Sequence, residues 1–226
     1  MIVNIAIDGP AGAGKSTIAK RVAKELSFIY VDTGAMYRAM ALYLLREGVS
    51  ASQPEQIARA CENAKITIVY EDGDQRILLC GEDVTPCLRT EEVGNMASVS
   101  SAHPRVREKL VELQQRLAAE RSVVMDGRDI GTVVLPDAAV KIYLTASAHI
   151  RALRRFAQLE QKGENPSLLQ IEKDIADRDT RDMTREISPL RQAEDAILVD
   201  SSELGIEEVV EKILEIFRER TGERCR

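Results

Sequence analysis

The 226 residues predict an α/β protein built on an open, mostly parallel sheet. Three observations carry that expectation. Short apolar runs alternate with helical patterns along most of the chain. The runs are apolar throughout, as strands covered on both faces are. One β-rich hairpin interrupts the alternation, which is most simply an insertion carried on the main unit. A chain of this length buries roughly 70% or more of its unfolded surface, so a single unit spanning 1–226 needs no disulfide or metal to hold its core.

In chain order, Ile2 to Ile7 reads as a buried strand and Lys15 to Leu26 as a helix with Ile18, Val22 and Leu26 on one face. "FIYVD" is a second strand, and Thr33 to Leu45 a helix capped by Thr33, with Met36, Met40 and Leu44 as core. After "SQPEQIARACENA", two β-rich runs flank "EDGD" and predict the hairpin. Arg89 to Ala102 and Pro104 to Glu120 return to helix, the second with proline in its first turn. "SVVMDG", "AVKIYL" and "AILVD" complete a sheet of about five strands, and Ile206 to Arg220 closes the chain as a helix.

The composition narrows the function classes. A net charge of −6 and a pI near 5.2 argue against broad binding to a nucleic-acid backbone. The first residues carry no positive n-region, and the opening apolar segment is too short for a signal sequence or a membrane span. Cys61, Cys80, Cys87 and Cys225 have no CxxC spacing and no nearby histidine, which predicts reduced thiols in a soluble cytoplasmic protein. His103 and His149 have no carboxylate or cysteine at ligand spacing and read as capping or surface residues.

Between the first strand and the first helix stands "GPAGAGKST". Gly9, Gly14, Lys15 and Ser16 match G-x-x-x-x-G-K-[ST] in the strand-to-helix setting that a phosphate-binding loop requires. Glycines let backbone N–H groups turn toward phosphate oxygens, and the helix N-terminus adds partial positive charge at the same place. Gly9, Pro10, Ala11, Gly12, Ala13, Gly14, Lys15, Ser16 and Thr17 are thus the candidate ATP-binding residues. Lys15 would reach the β and γ phosphates, and Ser16 would ligate Mg²⁺. Asp126, at the end of an apolar strand, fits the second magnesium position, strand-end capping being the other reading.

Ligands of open α/β sheets lie outside the carboxyl ends of the strands. Arg38, Arg128, Arg151, Arg154 and Arg155 follow such ends and are candidates to surround phosphates. In "DRDTRDMTREISPLR", Arg178, Arg181 and Arg185 recur at spacings of three and four with Asp182 in the same row. That spacing suits either a phosphate-binding face or an ordinary solvated one.

The motifs "DGPAGAGKST", "DTGAMYRAMA", "GEDVTPCLRTEEVGNMAS", "PRVRE", "DGRDIGTVVLPDA" and "RDTRDMTREISPL", in this order, resemble the bacterial-type cytidylate kinases of the nucleoside monophosphate kinase group. The resemblance runs nearly end to end and stops short of the tail after Arg220. It implies a three-layer P-loop NTPase fold with a parallel five-stranded sheet and a small antiparallel β insertion. It implies a CORE with the P-loop at 9–17, an NMP-binding region at about 33–105 with the insertion at about 65–90, and a LID at about 151–163. The implied reaction is MgATP-dependent phosphorylation of CMP and dCMP by a monomer.

The resemblance also assigns roles. Thr33 and Arg38 approach the acceptor phosphate; Ser98, Arg107 and Asp129 hold the cytosine ring; Arg178 and Asp182 contact the sugar; Arg128 and Arg185 bind phosphate. Lys15, Arg128, Arg154 and Arg185 make up the implied catalytic set. A carboxylate can accept from the exocyclic amino group of cytosine while an arginine donates to its carbonyl and ring nitrogen, so UMP should be the poorer acceptor. Two other classes remain as alternatives: another small-molecule P-loop kinase, of UMP/CMP, shikimate or gluconate type, and a P-loop regulatory module. No NKxD-like segment supports the module.

Overall fold

The computed structural model describes residues 2–71 and 73–222. Five strands form a parallel sheet in the order β2-β6-β1-β7-β8: β1 (Ile5–Asp8), β2 (Ile29–Asp32), β6 (Val123–Gly127), β7 (Val140–Thr145) and β8 (Ile197–Asp200). β1 at the centre pairs Ile5 with Val124 on one side and with Val140 on the other. All four of its residues are buried, as the uniformly apolar run predicts for a central parallel strand.

Alternation along the strands divides the core into two layers. Ala6, Val31, Val123 and Met125 face helices α2 (Thr33–Arg46), α3 (Pro54–Asn63), α4 (Glu91–Ser100) and α5 (Pro104–Glu120). Ile5, Ile7, Val124, Ile142 and Leu144 face α1 (Lys15–Leu26) and α8 (Ile206–Thr221), where Phe28 meets Phe217 edge to face at 5.8 Å. α6 (Ala148–Gln161) and α7 (Leu168–Thr184) pack on each other between β7 and β8. The expected three layers and five strands are present, and the helix bounds Lys15–Leu26 and Pro104–Glu120 agree with the sequence reading.

The expected hairpin is β3 (Ile66–Glu71) with β4 (Asp74–Leu79), and a short β5 (Glu82–Asp83) extends it to three antiparallel strands. Ile77 and Leu79 alone of the hairpin's apolar residues are fully buried, packing toward α2. Cys61, Cys80 and Cys87 are free thiols. Cys225 lies outside the described residues.

One local expectation is corrected. The cap of α2 is Asp32, whose carboxylate accepts from the Ala35 N–H at 2.9 Å. Thr33 is already helical and its hydroxyl donates to the carbonyl of Asp126 at 2.7 Å. In addition, "IGTVV" after β6 continues as a single π-helical turn, Ile130–Val134. Asp8 causes it: its carboxylate accepts from the N–H groups of Ile130 and Gly131 at 2.8 and 2.7 Å. A carboxylate at the free N–H groups of a helical turn is the favourable arrangement.

Candidate active site

The site lies beyond the carboxyl ends of β1, β2 and β6, where the chain leaves the sheet at Asp8, Asp32 and Gly127. Gly9 turns the backbone out of β1 at a place no other residue fits: a Cβ there would stand 1.9 Å from the Leu144 carbonyl oxygen. Gly14 caps α1 with φ 86 and no side-chain cap, so the first-turn N–H groups of α1 face the loop without a competing side chain.

Lys15 is buried and its ammonium donates to the Pro10 carbonyl at 2.7 Å, across the loop. Burial, with the Arg128 charge nearby, pushes its pKa well down. Ser16 Oγ donates to Asp126 Oδ2 at 3.0 Å, and the Tyr30 hydroxyl donates to Asp126 Oδ1 at 2.9 Å. Burial, then the neighbouring Asp32 charge, raises Asp126 to about 6. The expected pair Ser16 and Asp126 is thus brought together. Among the described residues no group of three or more His, Cys, Asp or Glu side chains could hold a metal. The hydroxyl and carboxylate nonetheless suit a cation that keeps most of its shell as water and phosphate oxygens.

Arg107 on α5 and Asp129 after β6 form an ion pair with both side chains almost wholly buried. Arg185 Nη2 stands 3.8 Å from the other Asp129 oxygen, and the Arg107 guanidinium lies over the Tyr37 ring at 5.7 Å. Burial raises the Asp129 pKa against the pull of these two arginines. Ser98 on α4 lines a cleft of ≈ 270 Å³ together with Asp182 and Arg185. Arg128 Nε donates to Asp182 Oδ2 at 2.8 Å; burial alone would raise Asp182, and Arg128 outweighs it and holds the carboxyl below its ordinary value.

Arg178 is half-buried, its Nε has no hydrogen-bond partner, and desolvation followed by repulsion from Arg128 pushes it down to about 10. Arg38 folds back over Gly34, where a Cβ would meet its Nη1 at 3.2 Å, and its charge is among those acting on Arg178. Arg107, Arg128, Asp129, Arg178, Asp182 and Arg185 thus form one connected cluster through ion pairs and neighbouring charges, and the charges of Arg128 and Arg178 also act on Lys15. The helical row does not extend to Arg185, because α7 stops at Thr184 and Arg185 is its extended C-cap.

Arg154 is not brought to the loop. Its guanidinium is held by the hydroxyl and carbonyl of Ser201 at 3.2 and 2.6 Å. Arg151, one turn earlier, takes that place: buried, it donates to the carbonyls of Ala146 and of Ala11 within the loop, and to Asp179 at 2.6 Å. Asp8 and Asp179, which stand in quoted motifs without a role assigned to them, and Tyr30, which stands in none, are further residues of the site.

A family model described as cytidylate kinase matches residues 5–219. The cytidylate kinase of Caldicellulosiruptor saccharolyticus is 53% identical over 220 residues, which cover 97% of each chain. That of Desulfitobacterium hafniense is 50% identical over 218 residues, 96% of this chain and 94% of its own. Among solved structures, a shikimate kinase from Bacteroides thetaiotaomicron aligns with a TM-score of 0.50 at 14% identity over 96% of this chain and 99% of that one, a likeness of fold alone. An uncharacterized protein from Eubacterium ventriosum aligns with a TM-score of 0.53 at 13% identity, over the same shares of each chain. The loop, the arginine-lined cleft and relatives sharing half of their residues along almost the full length lead to one conclusion: the chain belongs to the cytidylate kinase family.

Proposed function

We propose that this kinase transfers the γ-phosphoryl group of ATP to CMP and dCMP, releasing ADP and CDP or dCDP. The observation that carries the reading is the buried Arg107–Asp129 pair, joined through Arg185 to the Ser98-lined cleft, with the charge of Arg128 acting on both Asp129 and Lys15. One carboxylate and one multiple donor, held edge to edge, complement the amino, ring-nitrogen and carbonyl groups of cytosine. Uracil would set a carbonyl oxygen against Asp129.

Residues 9–17 hold the donor, with Lys15 moving from the Pro10 carbonyl to the β and γ phosphates. Thr33 and Arg38 face the acceptor phosphate; Arg178 and Asp182 face the sugar. Arg128 and Arg185 supply positive charge where it develops on the transferring group, and no covalent nucleophile is needed. Arg151 holds the loop's shape through Ala11 and is the better candidate than Arg154 for the catalytic set. Ser16 and Asp126 would hold Mg²⁺, which when bound neutralises phosphate charge. The roles divide the chain into a CORE, an NMP-binding region at about 33–105 and a LID at about 151–163.

A monomeric cytoplasmic enzyme of pyrimidine metabolism fits the free thiols and the net charge of −6. No helix among the described residues is long and apolar enough to cross a membrane. The deciding measurement is ADP release in a coupled assay over CMP, dCMP, UMP, AMP, shikimate and gluconate. CMP and dCMP should give the highest kcat/KM. A preference for shikimate, gluconate or AMP would overturn the reading.

A further inference from the structure

β2 is an edge strand of the parallel sheet, with β6 on one side and no strand on the other. An exposed strand edge presents unpaired N–H and C=O groups. Here two side chains of the insertion pair with them. The Tyr70 hydroxyl on β3 donates to the Tyr30 carbonyl at 3.1 Å. Two residues on, Gln75 on β4 engages Asp32 twice: its Oε1 accepts from the Asp32 N–H at 2.8 Å and its Nε2 donates to the Asp32 carbonyl at 3.3 Å. A side-chain amide has the donor and acceptor of a peptide unit, so Gln75 does for Asp32 what a neighbouring strand would do.

Asp32 is also the hinge between sheet and site. It is the last residue of β2 and pairs with Asp126 across β6. Its carboxylate caps α2 at Ala35, and the next residues are Thr33, bonded to the Asp126 carbonyl, and Gly34, packed between Asp32 Oδ1 and the Arg38 guanidinium. A displaced Asp32 would carry the start of α2 with it. The ion pair Lys20–Asp74 at 3.1 Å also joins the hairpin to α1, but both partners are exposed and it adds little.

We propose that Gln75 is a positioning residue for the acceptor phosphate: by pairing with the backbone of Asp32 it fixes the start of α2, from which Thr33 and Arg38 reach the phosphate. The insertion thus acts on the reaction through an amide outside the cleft. The inference rests on the reading that Thr33 and Arg38 face the acceptor phosphate, and the test separates the two.

Gln75 is half-buried, so Gln75→Met keeps the length of the side chain in a folded protein while removing both hydrogen bonds. KM for CMP should rise roughly tenfold, with KM for ATP and kcat within about twofold, as expected for lost acceptor positioning. Amide hydrogen exchange at Asp32 should accelerate roughly tenfold or more, because its N–H loses its partner. Gln75→Glu keeps the acceptor for that N–H and should give an intermediate KM. Tyr70→Phe removes a hydrogen bond to the same strand edge without touching Asp32; it should lower Tm and leave KM for CMP unchanged. Arg38→Met is the control on the underlying reading and should raise KM for CMP strongly. If Arg38→Met raises it and Gln75→Met does not, Gln75 is structural and the proposal fails alone. Should Tyr70→Phe raise KM as much as Gln75→Met, general loosening of the insertion is the cause and the proposal also fails. An unchanged KM in Arg38→Met would remove both the reading and the proposal.

Discussion

Removing the Asp129 carboxylate should change stability and base choice together. The Arg107 and Asp129 side chains are 5% and 6% exposed, and Arg185 stands 3.8 Å from the same carboxyl group. Asp129→Ala therefore leaves two buried guanidinium groups facing each other without the anion between them. Breaking a buried pair by deleting one partner costs about 3–5 kcal/mol. In a domain of this size each kcal/mol moves Tm by about 2–4 °C, so a fall of roughly 6–20 °C is expected. In the cleft, CMP loses the acceptor for its amino group, whereas UMP loses a repulsion as well as any bridged contact. A desolvated polar group left unpaired costs about 1–3 kcal/mol, so the CMP-to-UMP ratio of kcat/KM should narrow by roughly tenfold or more. Asp129→Asn is the companion variant. Its amide retains an acceptor for Arg107 and can turn either group toward the base, so it should recover much of the Tm while the ratio stays narrow. The assay is kcat/KM for both acceptors at saturating MgATP, with calorimetric Tm. Equal losses for CMP and UMP in both variants would refute the reasoning; the pair would then be structural, and Ser98 would be the next residue to examine.

Other outcomes are expected from the same geometry. Lys15→Ala should keep the fold and lower turnover by ~10²-fold or more, the loss of one preorganised charge on the phosphates; wild-type-like turnover would remove the donor role of the loop. Asp182→Ala deletes the partner of Arg128, and KM for CMP should rise by roughly fivefold or more while ATP affinity holds. An unchanged KM for CMP would count against a sugar-facing role. Asp8 gives a pH dependence of stability. Burial raises it to about 6 from 3.8, so its stabilising contribution is fully present below pH 3.8 and is lost as pH rises through about 6. The shift corresponds to about 3 kcal/mol. Asn does not titrate, so the stability of Asp8→Asn relative to the native chain should increase by about that amount between pH 4 and pH 7. Parallel denaturation midpoints for the two proteins over that range would contradict it.

Much of this arrangement is legible in the sequence where the signal is local. Glycines at 9 and 14 bracket a strand-to-helix turn, and the apolar period of Lys15–Leu26 and Pro104–Glu120 fixes those helices without help from elsewhere. Features set by distant contacts were not legible. Nothing in "IGTVV" itself marks the π turn, whose first N–H groups are held by Asp8, 122 residues away. Thr33 and Asp32 are equally good caps by residue type; pairing of Asp32 with Asp126 across the sheet decides between them. Arg151 and Arg154 share a face of α6 by spacing, and the packing of α6 on α7, with Asp179 there, turns the first to the loop while the second reaches Ser201. Arg185 escapes the helical row because α7 ends one residue before it.

Three arginines of the site already face carboxylates within the chain: Arg107 meets Asp129, Arg128 meets Asp182 and Arg151 meets Asp179, while Lys15 rests on a carbonyl. From farther than a screening length of about 8 Å at physiological salt, each arginine pair is a dipole and not a charge. A nucleotide approaching a chain of net charge −6 is therefore drawn at long range chiefly by the cations without an ion pair among the described residues, Arg38, Arg178 and Lys15. Its phosphates reach the paired arginines by exchange at contact, each displacing a carboxylate that held the guanidinium in place. Encounter should then depend on ionic strength only modestly, and kcat/KM for CMP should fall between low and physiological salt by a few-fold and not by orders of magnitude.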